Sequence, residues 1–403
     1  MVEKEKGDKN RTILGVAIPV FLMGLVSLFT DISSESIQSF FSLYVLSIGG
    51  TTLILGIILG FTSALSNVLK GFSGWMSDKI NRRKPFVIAG YTLSNISKPL
   101  MAFSISWEPV LGLKTVDRFG KGLRTSPRDT LISYYAVEKG KAFGLHRAMD
   151  TLGAVIGTIL ATILLLLSWS FNQIIFFTIL PGGIAIFLIF FVKDVDPNKL
   201  TEEMIYQTTD PKKDKIDKKF IKLVVILGII EFASINLGFL QIRSFDYVQD
   251  AFFLPILYLI SSLVYMIFSP ILGSLSDKLG RKPIIIPGLL LLLIISIVLA
   301  FPTESTIVSL IVIIIIWIMY GFYLASVDPI SRAYIADLVG KNKRGRAYGY
   351  YYLSVGLVSL VESILFGILY DYFSYTVAFV YSFIVLFICV IVFNKTDFSK
   401  LSK

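Results

Sequence analysis

Apolar runs of membrane-spanning length follow one another along almost the whole chain, each ended by a short polar or Gly/Pro-containing break. A helix needs about 20 predominantly apolar residues to cross a bilayer core. The runs predict twelve helices, at 13–47, 51–77, 84–105, 108–134, 140–168, 172–193, 219–244, 250–277, 282–301, 304–337, 344–371 and 374–394. Between the sixth and seventh the character changes. Residues 194–218 are rich in Lys, Asp, Glu, Thr and Pro and read as a solvated linker. The expected fold is all-α and membrane-embedded, twelve transmembrane helices in two pseudo-symmetric six-helix bundles, 12–193 and 219–394.

Composition agrees: 55% of the 403 residues are hydrophobic and 16% charged, against about 45–50% and 25% in soluble domains. The net charge of +10 suggests a nucleic-acid partner until its distribution is read. The short loops near 48–51, 104–108, 168–172, 243–250, 302–305 and 371–375 hold only Arg243 among the Lys and Arg residues. This asymmetry places both termini and the linker in the cytoplasm and the chain in the plasma membrane. The polar N-terminus leads straight into the first apolar run, with no cleavable signal peptide expected. The single cysteine, Cys389, is expected to pack in an apolar run, and the single histidine, His146, argues against a His-based metal site.

One stretch breaks the apolar pattern. In Asp117–Asp129, Asp117, Lys121, Arg124 and Arg128 recur at steps of 4, 3 and 4, so they share one helix face, with Arg118 offset from it. A charge at bilayer depth costs about 2.5–3.5 kcal/mol on insertion scales. The stripe must therefore face water, partner charges or both. Gly120 and Gly122 flank it and admit a close helix neighbour. Lys121 and Arg124 can bind an anionic group on a substrate, or be neutralised internally by Asp31, Asp117 and Asp150. Arg118 and Gln38 complete the substrate-binding candidates.

Other polar groups lie inside apolar runs. Asp31 and Glu35, four apart on the first helix, share a face with Ser27, Ser34 and Gln38. Burial disfavours the ionised carboxylate, which suits a proton carrier; a permanent ion pair with the fourth helix is the alternative. His146 and Asp150 are one turn apart and suggest a gate contact, while Gly153 and Gly157 suggest close packing. In the second half, Glu231 and Glu362 have no local partner in the sequence, whereas Asp328 and Arg332 can pair at four residues. Asp31, Glu35, Asp117, Asp150, Glu231 and Glu362 are the proton-coupling candidates. Lys70 and Lys98 can snorkel or pair, and the tyrosines at 348 and 350–352 read as an interfacial belt.

The two halves echo each other. Gly74-Trp-Met-Ser-Asp78-Lys79-Ile-Asn81-Arg82-Arg83-Lys84-Pro85 matches Gly273-Ser-Leu-Ser-Asp277-Lys278-Leu-Gly280-Arg281-Lys282-Pro283, and Lys139–Gly144 matches Arg344–Gly349. The echoes fall in the same order, 199 and 205 positions apart. The doubled G-x-x-x-D-K-x-[GN]-R loop resembles the signature loop of the major facilitator superfamily, over residues 12–394. The first copy departs in carrying Asn81 where Gly is usual. The run Phe29-Thr-Asp31-Ile-Ser-Ser-Glu35 and the charged stripe resemble a subgroup of prokaryotic permeases of that superfamily, which supplies no substrate.

The resemblance implies a gate: Asp78 accepting hydrogen bonds at the N-terminus of helix 11, with Arg82 and Arg83 holding the gate and anchoring at headgroups. Gly74, Arg128, Asp277, Arg281 and Arg332 belong to the same expected cytoplasmic gate. No Walker loop, serine elbow or zinc helix is present in the sequence, so no cofactor, metal or enzyme activity is expected. The expected function is secondary active transport of a small organic solute by alternating access, coupled to protons. A uniporter or exchanger of an organic anion, and a non-transporting receptor on the same fold, are the alternatives. The expected partners are the solute, protons and lipid, not nucleic acid, and the expected assembly is a monomer.

Overall fold

The computed structural model describes residues 12–80, 82–136, 139–194, 218–302, 306–338 and 344–396. The side chains of Asp78 and of the basic ends of the second echo (139–140 and 344–346), and nearly all of the expected linker, are not described.

The described residues are almost entirely helical. A two-stranded hairpin, β1 Thr12–Ile13 and β2 Val16–Ala17, leads into α1 Ile18–Gln38, α2 Phe41–Ser47, α3 Thr52–Ile80, α4 Lys84–Leu100 and α5 Trp107–Tyr135. These are followed by α6 Lys139–Leu166, α7 Phe171–Phe177, α8 Ile179–Ile189, α9 Lys218–Ala233, α10 Leu237–Val248 and α11 Phe253–Leu279. The last four are α12 Lys282–Ala300, α13 Ile307–Leu338, α14 Arg344–Tyr372 and α15 Tyr375–Lys395. Ten helices among the described residues are long and apolar enough to cross a membrane. The two other expected crossings are α4, only 17 residues long, and α5, which carries eight charged residues.

The expected first helix, 13–47, is corrected at both ends. Residues Leu14 and Gly15 have φ of 53° and 76° and turn the chain back as a hairpin, because two positive φ values match the twist of paired strands. Beyond Gln38 the helix breaks at Phe40, with φ −132° and ψ 9°. Here the Ser36 and Ser39 hydroxyls donate to the carbonyl oxygens of Ile32 (2.7 Å) and Ser36 (2.8 Å), competing with the helical ladder. The expected 219–244 run also breaks, at Ser234–Asn236, where the Asn236 side chain caps α10 by accepting from the Gly238 amide.

The chain divides into two compact units, Met1–Ser39 with Leu65–Thr208, and Phe40–Ala64 with Thr209–Lys403. In the first unit, Val20, Met23, Val26, Val87, Tyr91, Leu131 and Ile189 are among the buried residues of its core. Glycines set its helix crossings. A Cβ at Gly90 would lie 2.6 Å from the Gly120 carbonyl oxygen, and one at Gly120 2.5 Å from that of Gly90, so α4 and α5 meet backbone to backbone. Gly122 faces α3 at Leu69 and Ser66, while Gly153 and Gly157 of α6 face the α1 backbone at Leu28 and Ile32. The expectation that these glycines serve close packing holds.

In the second unit the beginning of α3 packs on α14. A Cβ at Gly60 would sit 2.9 Å from Leu360 Cα, and one at Gly367 2.7 Å from Leu53 Cα. Gly56 abuts the Ser363 carbonyl oxygen. Asp371, near the end of α14, accepts from the Thr52 amide (3.2 Å) and the Leu53 amide (2.7 Å). A carboxylate there satisfies otherwise unpaired first-turn N–H groups and complements the helix dipole.

Arg243, expected in a loop, lies within α10 and is 2% exposed. It donates to the carbonyl oxygens of Leu299 (3.0 Å) and Phe301 (2.6 Å) at the end of α12, and pairs with Asp246 at 2.7 Å. Its guanidinium stacks 4.0 Å over the Tyr375 ring. Burial of so many donors is tolerable because the orphan carbonyls at a helix end need them.

Candidate functional site

The polar site of the first unit is built on α5, against α1 and α4. α5 starts after Ser106, and its charged stripe is turned inward by the glycine contacts at Gly90–Gly120 and Gly122–Leu69. Asp117 and Arg124 are each 5% exposed, while Lys121 and Arg128 are half-buried.

Each charge of the stripe has a distinct fate. Asp117 accepts from the Ser94 hydroxyl at 2.6 Å and faces Arg118 Nε at 3.6 Å. Arg118 reaches back to α1, donating from Nη2 to Gln38 Oε1 at 3.3 Å. Arg128 pairs with its neighbour Asp129 at 2.8 Å and donates to Ser27 at 3.4 Å. Arg124 makes no hydrogen bond or ion pair among the described residues; its guanidinium carbon stands 4.3 Å from the centroid of the Tyr91 ring, and its Nη1 is buried without a partner. Tyr91 is itself held by a hydroxyl–hydroxyl bond to Ser27, 3.1 Å. The Lys121 ammonium likewise makes no ion pair or hydrogen bond among the described residues, although Arg118, Asp31, Glu35 and Arg124 all act on it electrostatically.

Across from the stripe, Asp31 is half-buried and has no ion pair or hydrogen bond among the described residues. Asp150, Glu35, Lys121 and Arg124 are its electrostatic neighbours. Asp150 is engaged by its own helix: His146 Nδ1 lies 3.5 Å and Arg147 Nη1 3.9 Å from its Oδ2.

Two cations that the sequence did not single out as ligands join the cluster. Lys98 is 2% exposed and donates to Ser34 Oγ (2.9 Å) and the Thr30 carbonyl oxygen (3.3 Å). Lys114 is 4% exposed and acts electrostatically on Asp117. The sequence did hold a signal for Lys114: it stands one turn before Asp117 on the same face. Lys98 could be read only as a lysine near the end of an apolar run.

The second unit gathers acids and tyrosines. Glu362 is 1% exposed; the Ser363 hydroxyl donates to its Oε2 at 2.8 Å, and Oε1 has no partner. Glu231 is half-buried and makes no side-chain hydrogen bond or ion pair among the described residues. Tyr320 and Tyr323, 5.7 Å apart, are buried beside them, within electrostatic reach of Glu231. Arg332 pairs with Asp328, which also accepts from the Tyr265 hydroxyl at 3.2 Å. The tyrosines at 348 and 350–352 have different surroundings. Tyr350 is exposed, Tyr351 is 8% exposed and packs 5.3 Å from the Tyr352 ring, and Tyr348 donates to the Arg332 carbonyl oxygen.

The two signature loops differ in detail. Arg281 pairs with Asp277 at 2.5 Å and with Asp337 at 2.8 Å, tying α11 to α13. In the first copy Arg82 is exposed, but Arg83 is fully buried, so its expected anchoring at headgroups is corrected. The Arg83 and Lys84 amides donate to Asp194 Oδ1 at 3.2 and 3.1 Å, which caps α4. Gly74 lies against Ser126 of α5, where a Cβ would come within 2.5 Å of the hydroxyl.

The family model of the Major Facilitator Superfamily matches residues 20–257 and 223–400. The chain belongs to the major facilitator superfamily. A superfamily relative, an uncharacterized MFS-type transporter of Methanocaldococcus jannaschii, is 34% identical over 356 residues, covering 87% of this chain and 88% of that protein. An uncharacterized protein of Mycobacterium tuberculosis is 26% identical over 363 residues, covering 87% and 86%. The fold is similar to that of the nucleoside transporter NupG, with TM-score 0.78 at 12% identity over 93% of this chain and 99% of that one. It is also similar to a POT family transporter in complex with 5-aminolevulinic acid, with TM-score 0.75 at 12% identity over 93% and 95%. The protein is thus a multi-pass membrane protein of a transporter family.

Proposed function

We propose that this superfamily member is a secondary active transporter that moves a small organic solute by alternating access, with protons as the coupling ion. In this reading α4 and α5 complete a set of twelve crossings, in six-helix bundles over 12–193 and 219–394. The loop charges support cytoplasmic termini, and the chain is taken to sit in the plasma membrane.

The observation that carries the reading is the state of the intramembrane acids. The carboxylates of Asp31 and Glu231 have neither hydrogen bond nor ion pair among the described residues, and one carboxylate oxygen of Glu362 is buried with no partner among them. Intramembrane acids with no structural partner are expensive to keep and mark proton and ion pathways. Asp117, by contrast, is committed to Ser94 and Arg118, which favours Asp31, with Glu35 beside it, as the exchanging group of the first unit. In this reading the contact between the opening turns of α3 and α14, made at Gly56 and Gly60 and by the Asp371 cap, is a closure that opens during the cycle.

The test is flux in proteoliposomes loaded with a pH-sensitive dye. Candidate solutes should drive proton movement through the wild type, and Asp31→Asn should abolish the proton movement while the protein remains folded. Solute flux that ignores an imposed pH gradient, and is unchanged in Asp31→Asn and Glu35→Gln, removes proton coupling.

A further inference from the structure

The charges gathered around the α5 stripe, where it packs on α1 and α4, do not balance. Arg128 is neutralised by Asp129, and Arg147 faces Asp150. Five cations remain, Lys98, Lys114, Arg118, Lys121 and Arg124, against three acids, Asp31, Glu35 and Asp117. The surplus is concentrated at Lys121 and Arg124, one turn apart on α5, since the side chain of neither has a hydrogen bond or ion pair among the described residues.

Arg124 is the more telling of the two. It is 5% exposed, yet none of the described residues accepts from Nη1. An unpaired buried guanidinium is among the least favourable groups a protein can keep. Its position is nonetheless defined: the Tyr91 ring lies beneath it at 4.3 Å, Ser27 fixes the Tyr91 hydroxyl, and the Gly90–Gly120 crossing locks the backbone on which it stands. A planar fork held in place with free donors suits a carboxylate or a phosphate, which it can bind through two parallel hydrogen bonds. Lys121 adds a point charge on the same face.

We propose that Arg124 and Lys121 form a binding site for an anionic group, carboxylate or phosphate, with Tyr91 as the positioning residue under the guanidinium. This rests on the transporter reading and gives it a substrate class: a solute that carries at least one such group. The same chemistry is presented by the headgroup of an anionic phospholipid.

The experiment is thermal unfolding of the purified full-length protein in detergent. Succinate, citrate, glycerol phosphate, inorganic phosphate and phosphatidylglycerol are added singly, with potassium chloride at matched ionic strength as the control. At least one of these anions is expected to raise the melting temperature by more than about 2 °C. A rise with soluble anions assigns the site to a solute, and a rise with phosphatidylglycerol alone assigns it to lipid. No rise with any of them, or an equal rise with chloride, overturns the proposal. Arg124→Gln is expected to melt higher than wild type without ligand, because an unpaired buried charge is gone, and to lose the anion response. A lower melting temperature with the response intact makes Arg124 structural and overturns it. If Arg124→Gln does not yield folded protein, Arg124→Lys keeps the charge without the fork and should weaken apparent binding at least about tenfold; unchanged binding overturns the proposal. Flux of an uncharged solute with no anion response removes this claim and leaves transport standing. Anion stabilisation with no flux of any solute does the reverse.

Discussion

Asp371 Oδ2 accepts a hydrogen bond from the Leu53 amide at 2.7 Å, and so ties the last turn of α14 to the first turn of α3. The second carboxylate oxygen takes the Thr52 amide. Replacing the carboxylate by Ala should lower stability by about 1 kcal/mol, the typical worth of a helix N-terminal cap. Asn keeps an acceptor and should lose less. Thermal unfolding of Asp371→Ala and Asp371→Asn checks the order; equal melting temperatures for both variants and wild type contradict it.

The glycines of the same contact give a sign test. Ala at Gly56 or Gly60 presses a methyl group into backbone atoms of Ser363 or Leu360, which cannot step aside. The expected loss is about 1–3 kcal/mol. Gly183 in α8 has open space where its Cβ would stand, so Gly183→Ala should stabilise by about 0.5–1 kcal/mol through helix propensity. Opposite shifts in melting temperature are the expected result.

Asp117 and Arg124 should also respond in opposite directions, although both are buried charges on one helix face. Asp117 serves Ser94 and Arg118 and sits among Lys98 and Lys114. Asp117→Asn leaves those cations without their acid and should cost about 3–5 kcal/mol. Denaturant or thermal unfolding of purified Asp117→Asn measures this, and a neutral result would show the carboxylate to be dispensable.

Arg243 closes the end of α12 through the carbonyl oxygens of Leu299 and Phe301. Arg243→Ala should cost about 3 kcal/mol, since two buried acceptors lose their donor at once. Lys cannot reach both carbonyls and Asp246 with one ammonium group, so Arg243→Lys should recover only part of the loss. Full recovery by Lys would show that charge, not the fork, matters.

Much of this was legible in the sequence. The glycines at 120, 122, 153 and 157 announced close packing, and the pairing of Asp328 with Arg332 followed from their spacing. Which helix each glycine met was not legible: Gly120 meets α4 and Gly122 meets α3, a choice made by tertiary packing. From the sequence alone Arg243 belongs to a loop, because a charged side chain ends an apolar run. It is buried because the carbonyl oxygens of Leu299 and Phe301, far along the chain, need its donors. The apolar run containing Phe40 and Phe41 concealed a break, since hydropathy counts apolar residues and says nothing of the serine hydroxyls that compete for backbone carbonyls.

The reading of transport by alternating access is tested most directly by a reversible lock. Cysteines at positions 52 and 371, where the Thr52 amide now meets the Asp371 carboxylate, are joined by a short bifunctional thiol reagent in a background lacking Cys389. Solute flux in proteoliposomes is then measured before linkage, after linkage, and after cleavage. Arrest on linkage and recovery on cleavage are the predicted result. Flux that continues at the wild-type rate with the two helices joined would contradict the account.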